Sequence, residues 1–277
     1  MSNTHQYKYD IAVLLPTRGR TGALTRSIMS LVNRVSDLSR IQLLVGFDDD
    51  DEVGLTHWEK ELEPILEERG VHYTALSFEP IGYLRLNEYV TELANNTDAA
   101  WLMFWNDDAV MESQNWDQEI MRFQGQFKLL AVHTHREHPY SIFPIVPRDW
   151  LDLFGYMSPH QMSDAWISQV GYMVDIFERI EVWVTHDRYD LTGNNYDETY
   201  LNRPQLENSN SPEDFHSQKW HERRVADAEK LSKFLLSKGI DQTWWENVKA
   251  QKQNPYEKLE ANDINRQMTQ SKVAYVK

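Results

Sequence analysis

Apolar positions in the first 105 residues alternate between two periods. Apolar runs at 11–15 (IAVLL) and 99–105 (AAWLMFW) read as buried strands, and 41–47 (IQLLVGF) and 71–76 (VHYTAL) as the second and third strands between them. Between them the spacing becomes helical. Leu24, Ile28, Leu31 and Val32 share one side of a segment at 22–35. Leu55, Trp58, Leu62, Ile65 and Leu66 share one side of 54–68, and Gly70 is placed to stop that helix. Leu86, Val90 and Leu93 lie close to one face of the stretch opened by Gly82. Strands alternating with helices predict an α/β fold, with a mostly parallel central sheet covered by flanking helices. Such sheets bind ligands at the carboxyl ends of their strands.

After residue 108 the rhythm changes. The pattern predicts a helix at 116–127, strands at 129–135 and 140–146 (the latter interrupted by Pro144), and helices at 148–155 and 160–173. A strand at 181–186 follows, then a polar loop at 191–204. Ser211, Pro212 and Asp214 have the order of a helix start, with a cap, a first-turn proline and an early carboxylate. Ala228, Leu231 and Leu235 form the stripe of that helix, and Gly239 ends it. A shorter helix after Asp241 includes Trp244 and Trp245, and residues 251–277 are polar and weakly patterned. The chain therefore divides into a flexible N-terminus (1–8), an α/β unit (9–205) and a helical C-terminal extension with a polar tail (206–277). The extension is free to pack on the unit, join subunits into a homo-oligomer or contact another protein.

Composition narrows the classes. The chain has 277 residues, 41% of them hydrophobic, enough for a substantial core. Its 43 acidic and 28 basic side chains give a net charge of -15, which argues against extensive nucleic-acid contact. There is no cysteine, so disulfides, thiolate metal sites and cysteine nucleophiles are excluded. No apolar stretch approaches the roughly 20 residues needed to cross a bilayer, and no signal-peptide core precedes the first strand. A cytoplasmic protein without membrane insertion is the expectation.

The candidate chemistry gathers where strands end. Thr17 and Arg18 follow the first, Asp48 to Asp51 follow the second, and Asp107 and Asp108 follow the fourth. Adjacent carboxylates repel unless a cation, water or proton compensates. Such an acidic corner suits Mn2+ or Mg2+, which can bridge carboxylates to a diphosphate. The competing reading is a solvated turn. Of the four aspartates at 48–51, Asp48 is the one placed to accept a bond from a base or ribose. Arg18 can contact phosphate or stack on a base. Asp164 is either a general base for an acceptor hydroxyl or an exposed helix carboxylate, and Trp166 either stacks on a sugar or fills the core. His186 ends the strand at 181–186. His133, His135 and His138 have the look of a ligand cluster, with zinc the minority reading. The P-loop, GxGxxG, HExxH and GxSxG signatures are absent.

Four segments, LLPTRGR (14–20), LLVGFDDDDE (43–52), IGYLRLNEYV (81–90) and FWNDDAV (104–110), together resemble the GT-A class of nucleotide-sugar-dependent glycosyltransferases, near its large inverting family. The resemblance covers residues 9–200 and implies a Rossmann-like GT-A sheet. It implies donor contacts from Thr17, Arg18, Asp48, Arg85, Asn87, Asn106 and Asp107. Asp108 would be the direct ligand of Mn2+ or Mg2+, His186 a late metal or phosphate contact, and Asp164 the catalytic base. Asn106 stands where the family's motif has its first aspartate, and would hold ribose or a metal-bound water. The implied reaction moves a sugar from a nucleoside-diphosphate sugar, UDP-sugars being favoured, to an acceptor hydroxyl. A sugar-phosphate nucleotidyltransferase and a non-catalytic interaction protein on the same fold are the alternatives.

Overall fold

The computed structural model describes residues 6–134, 140–188, 192, 193 and 214–250. Four strands come first: β1 (Tyr9–Thr17), β2 (Ile41–Asp48), β3 (His72–Phe78) and β4 (Ala99–Phe104). They alternate with helices α1 (Thr21–Val32), α2 (Glu52–His57), α3 (Glu63–Glu68) and α4 (Leu86–Asn95). One wide π turn, Trp58–Leu62, joins α2 to α3, so the helical run expected at 54–68 is present. These four strands pair in parallel, as the alternation predicts.

The continuous apolar runs have a simple cause. In register, Leu14 lies beside Leu44 and Phe104, and Val13 lies beside Leu43 and Met103. Leu14, Leu44 and Leu102 face a core shared with α4. Val13, Leu43 and Met103 face the opposite core, with Leu24 and Ile28 of α1, Trp58 and Leu62. Successive strand residues point to opposite faces, so a strand covered on both sides must be apolar throughout. Each fully buried Leu or Val contributes about 1.5–3 kcal/mol relative to exposure.

The second half departs from the expected parallel order. It contains β5 (Ala109–Met111), α5 (Trp116–Met121), β6 (Leu129–Thr134), β7 (Ile145–Pro147), α6 (Arg148–Phe154), α7 (Ser163–Met173) and β8 (Phe177–His186). The sheet order is β3-β2-β1-β4-β7-β6-β8-β5. β7 runs antiparallel between β4 and β6, and β5 runs antiparallel to β8. The sheet is therefore mixed, and it curls into a half-barrel rather than lying flat as a Rossmann-like sheet would. Of the strand expected at 140–146 only the end is one, as β7, and the three-residue β5 carries no periodic signal of its own. The helix expected at 116–127 stops at Met121, where 123–126 continue in tighter i to i+3 turns.

The helix that carries the Ala228, Leu231 and Leu235 stripe starts at Gln218, later than expected. α8 (Gln218–Ser237) and α9 (Thr243–Ala250) follow a turn in which Asp214 accepts from the His216 N–H. The residue ahead of α8 is Ser217, not Ser211, which lies with Pro212 outside the described residues. The polar loop at 191–204 and the tail 251–277 lie largely or wholly outside them too. Val225, Ala228, Leu231 and Leu235 of α8 and Trp245 of α9 enter the same core as Trp166 and Val170 of α7. Asp227 fixes that seam by accepting from the Trp166 indole N–H at 3.2 Å and the Tyr156 hydroxyl at 2.8 Å. Trp166 is thus a core residue. No helix among the described residues is long and apolar enough to cross a membrane.

Candidate active site

The ends of β1, β4 and β8 meet in one acidic corner. After β4, residues 106–109 make a tight turn, closed by the Ala109 N–H donating to the Asn106 carbonyl at 3.1 Å. Ser27 of α1 holds this turn from below. Its hydroxyl donates to the same carbonyl at 3.0 Å and accepts from the Trp105 indole N–H at 2.7 Å. β5 then pairs with β8 so that Ala109 lies opposite His186, and the Asp187 N–H donates to the Asp108 carbonyl at 2.8 Å. The pairing carries His186, 78 residues downstream of Asp108 (186 − 108), to its side.

Asp107 and Asp108 are both buried, and they differ in partners. Asp107 accepts from the Thr17 hydroxyl at 2.6 Å and from Arg20 Nε at 3.2 Å, and a second Arg20 nitrogen pairs with its other oxygen. Asp108 lies between two bases. Its Oδ2 is 3.5 Å from Arg20 Nη1, and its Oδ1 is 3.3 Å from His186 Nε2. Burial works against ionisation of Asp108, but the contact with His186, the charge of that ring and the Arg20 guanidinium outweigh it. The carboxyl is held below its usual range. The His186 ring packs edge-on against Phe143 at 5.2 Å; both its nitrogens are buried, and neither makes a well-formed hydrogen bond among the described residues, the Nε2 contact with Asp108 being an ion pair.

A second, outer cluster forms at the end of β2. Arg18 donates to Asp48 at 2.6 Å and to both oxygens of Asp50, at 3.1 Å to Oδ2. Tyr89 of α4 donates to the other oxygen of Asp48 and accepts from the Ile81 N–H at 3.0 Å. Burial and that carboxylate push the Tyr89 hydroxyl up to about 12. Asp51 has a structural role. It caps α2 by accepting from the Gly54 N–H at 3.0 Å, and it accepts from the Gly19 N–H at 2.7 Å. Gly19 has φ +70, a conformation that glycine adopts without strain and that lets Arg18 and Arg20 diverge to separate clusters.

Asp164, in the first turn of α7, is half-buried and accepts from the Ala165 N–H at 2.7 Å. Burial raises its pKa despite that bond and the nearby charges of His186 and Arg188. It is therefore electrostatically coupled to the corner. Arg85 and Asn87 are engaged elsewhere. Arg85 pairs with Glu88 on the surface at 2.7 Å, and Asn87 donates to the Ser158 carbonyl at 3.0 Å. His133 stacks flat on Trp183 of β8 at 4.6 Å, while His135 and His138 lie outside the described residues.

Arg20 is the residue that sequence reasoning passed over. The only signal for it was a second arginine in the TRGR turn, and nothing there says which aspartates it meets. Among the described residues, no group of three or more His, Asp or Glu side chains forms a metal cluster. The corner offers one carboxylate and one imidazole whose facing atoms are 3.3 Å apart. Carboxylate oxygen and imidazole nitrogen are both donor types that a divalent cation accepts.

No family model and no curated protein matches this chain. Solved structures do. A mannosyltransferase, PcManGT from Pyrobaculum calidifontis in complex with GDP-Man and Mn2+, aligns over 96% of this chain and 86% of its own, with TM-score 0.56 and 10% identity. S. aureus TarS 1-349 in complex with UDP-GlcNAc aligns over 86% of this chain and 79% of its own, with TM-score 0.52 and 13% identity. The alignment with a longer S. aureus TarS chain covers 79% of this chain and 43% of that one, with TM-score 0.50 and 10% identity. At these identities what is common is the fold, that of a mannosyltransferase among others.

Proposed function

We propose that the chain is a glycosyltransferase that moves a sugar from a nucleoside-diphosphate sugar to an acceptor hydroxyl. The observation that carries this reading is the convergence of Thr17, Asp107, Asp108 and His186 from three strand ends, with Asp164 electrostatically coupled to them. The same fold holds GDP-Man with Mn2+ in one relative and UDP-GlcNAc in another, which supports a sugar nucleotide as donor.

In this reading residues 9–205 form the donor and acceptor unit, and Asp108 and His186 hold Mn2+ or Mg2+. When bound, the cation neutralises charge on the departing diphosphate. Arg18 exchanges Asp50 for a phosphate or the base, and Asp48 meets the ribose or base. Asp164 takes the proton from the acceptor hydroxyl as that oxygen attacks the anomeric carbon. Burial raises its pKa, which strengthens it as a base once ionised. One in-line displacement inverts the anomeric centre. The half-buried Asn106 is beside the ribose.

Calorimetric titration with UDP and GDP, with and without Mn2+, tests the donor site. Mn2+-dependent binding that disappears in Asp108→Ala supports it; unchanged binding in that variant overturns the ligand assignment. Release of nucleoside diphosphate separates this activity from nucleotidyl transfer, which releases pyrophosphate. The complete pairing of Asp107 with Thr17 and Arg20 favours, as second reading, a non-catalytic protein on this fold. Failure of the folded chain to bind either nucleotide would select it.

A further inference from the structure

We infer that Arg20 is a built-in counter-ion that makes cation binding at the acidic corner depend on the diphosphate. The inference rests on the donor-site reading above. Arg20 grips Asp107 through Nε and a second nitrogen, and its Nη1 reaches Asp108 at 3.5 Å. Asp107 has both oxygens engaged, so it holds the guanidinium and is not open to a metal. Asp108 is left with one oxygen toward Arg20 and one toward His186.

Two buried carboxylates thus share one permanent positive charge. A divalent ion approaching Asp108 alone meets a site already half neutralised, with a guanidinium one contact away. It also finds two protein ligands rather than three or more. Both facts weaken binding of the ion by itself. An arriving diphosphate changes the balance in two ways. It supplies oxygen ligands to the cation, and it gives the Arg20 Nη1 that faces Asp108 an anion to donate to, while the other two nitrogens keep Asp107. Cation and diphosphate then strengthen each other by the same factor, since coupling is reciprocal. Without nucleotide, Arg20 keeps the like charges of Asp107 and Asp108 together.

The test is Mn2+ titration of the full chain, read by the electron paramagnetic resonance of free Mn2+, alone and with saturating UDP or GDP. For the wild type, nucleotide is expected to tighten Mn2+ by at least about tenfold, the size of effect one nearby charge produces. Arg20→Gln should bind Mn2+ alone about tenfold tighter than wild type, with correspondingly less gain from nucleotide. Arg20→Lys keeps the charge without the fork and should fall between them. It decides the matter if Arg20→Gln does not fold. Unchanged Mn2+ affinity and coupling in the folded Arg20 variants, with binding abolished in Asp108→Asn, overturns the role of Arg20 and leaves the donor site standing. No Mn2+ binding by any variant, with or without nucleotide, overturns both.

Discussion

Arg18 and Arg20 sit two residues apart in one turn, and each faces two aspartates, yet the two clusters are physically different. The Arg18 side chain is 47% exposed and Asp50 is 50% exposed, so water screens their pairing. The Arg20 side chain is 22% exposed and Asp107 is fully buried, so little screens theirs. The outer cluster can open at small cost, as a ligand-exchanging contact must. The inner one cannot lose a partner without stranding a buried charge. Identical chemistry at positions i and i+2 is thus divided into a screened pair and a buried one by depth.

The sharpest way to break this contrast is Asp107→Ala. It should lower stability by about 3–5 kcal/mol by leaving Arg20 without its fork partner, measured by urea denaturation. A loss as small as that of a surface pair would mean that depth does not divide the two clusters.

Asp164→Asn should lower turnover by about a hundred- to ten-thousand-fold with donor binding retained, because it removes a base rather than a ligand. The sign of its stability effect is opposite. A carboxyl whose folded pKa is raised above its unfolded value holds its proton longer in the fold, so ionisation destabilises progressively as pH rises between the two. The asparagine should therefore melt higher than wild type at neutral pH and equally at strongly acid pH. In wild type, the acid limb of the activity profile should lie above the usual carboxylate range. Equal turnover of the asparagine variant removes the base assignment.

Gly54→Ala probes the joint between the clusters. A Cβ there would sit 2.2 Å from Asp51 Oδ2, so the cap that also holds Gly19 must shift. A loss of about 0.5–2 kcal/mol is expected, read as a lower thermal midpoint.

Arg18→Ala should be the mildest for stability, below about 1 kcal/mol. Nucleotide affinity should still fall, and the wild-type affinity should weaken with added salt more than that of the variant. Unaltered nucleotide affinity would reduce the outer cluster to surface decoration.

Strands β1, β2 and β4 and their helices were legible because a two-sided parallel strand must be apolar throughout and a covering helix must carry a stripe, whereas β3 is a half-exposed edge strand. That Val13 and Leu43 are buried strand residues, and that Leu62 of a covering helix is buried on their face, follows from those rules. The acidic corner was legible as a place, since Asp107 and Asp108 end a buried run. Its partners were not. Arg20 looked like any turn arginine, and the role of Asp51 as a cap was hidden among four aspartates.

The chain by itself determined the strands and helices of the first half and that carboxylates crowd at the ends of the strands. Periodicity and local burial are properties of neighbouring residues, so sequence records them. Only the tertiary structure decided that β7 turns the sheet antiparallel, that β5 pairs with β8 to bring His186 to Asp108, and that Arg20 enters while Arg18 stays out. Those outcomes depend on contacts up to 87 residues apart, and on the depth at which each charge is solvated. No local pattern encodes either quantity.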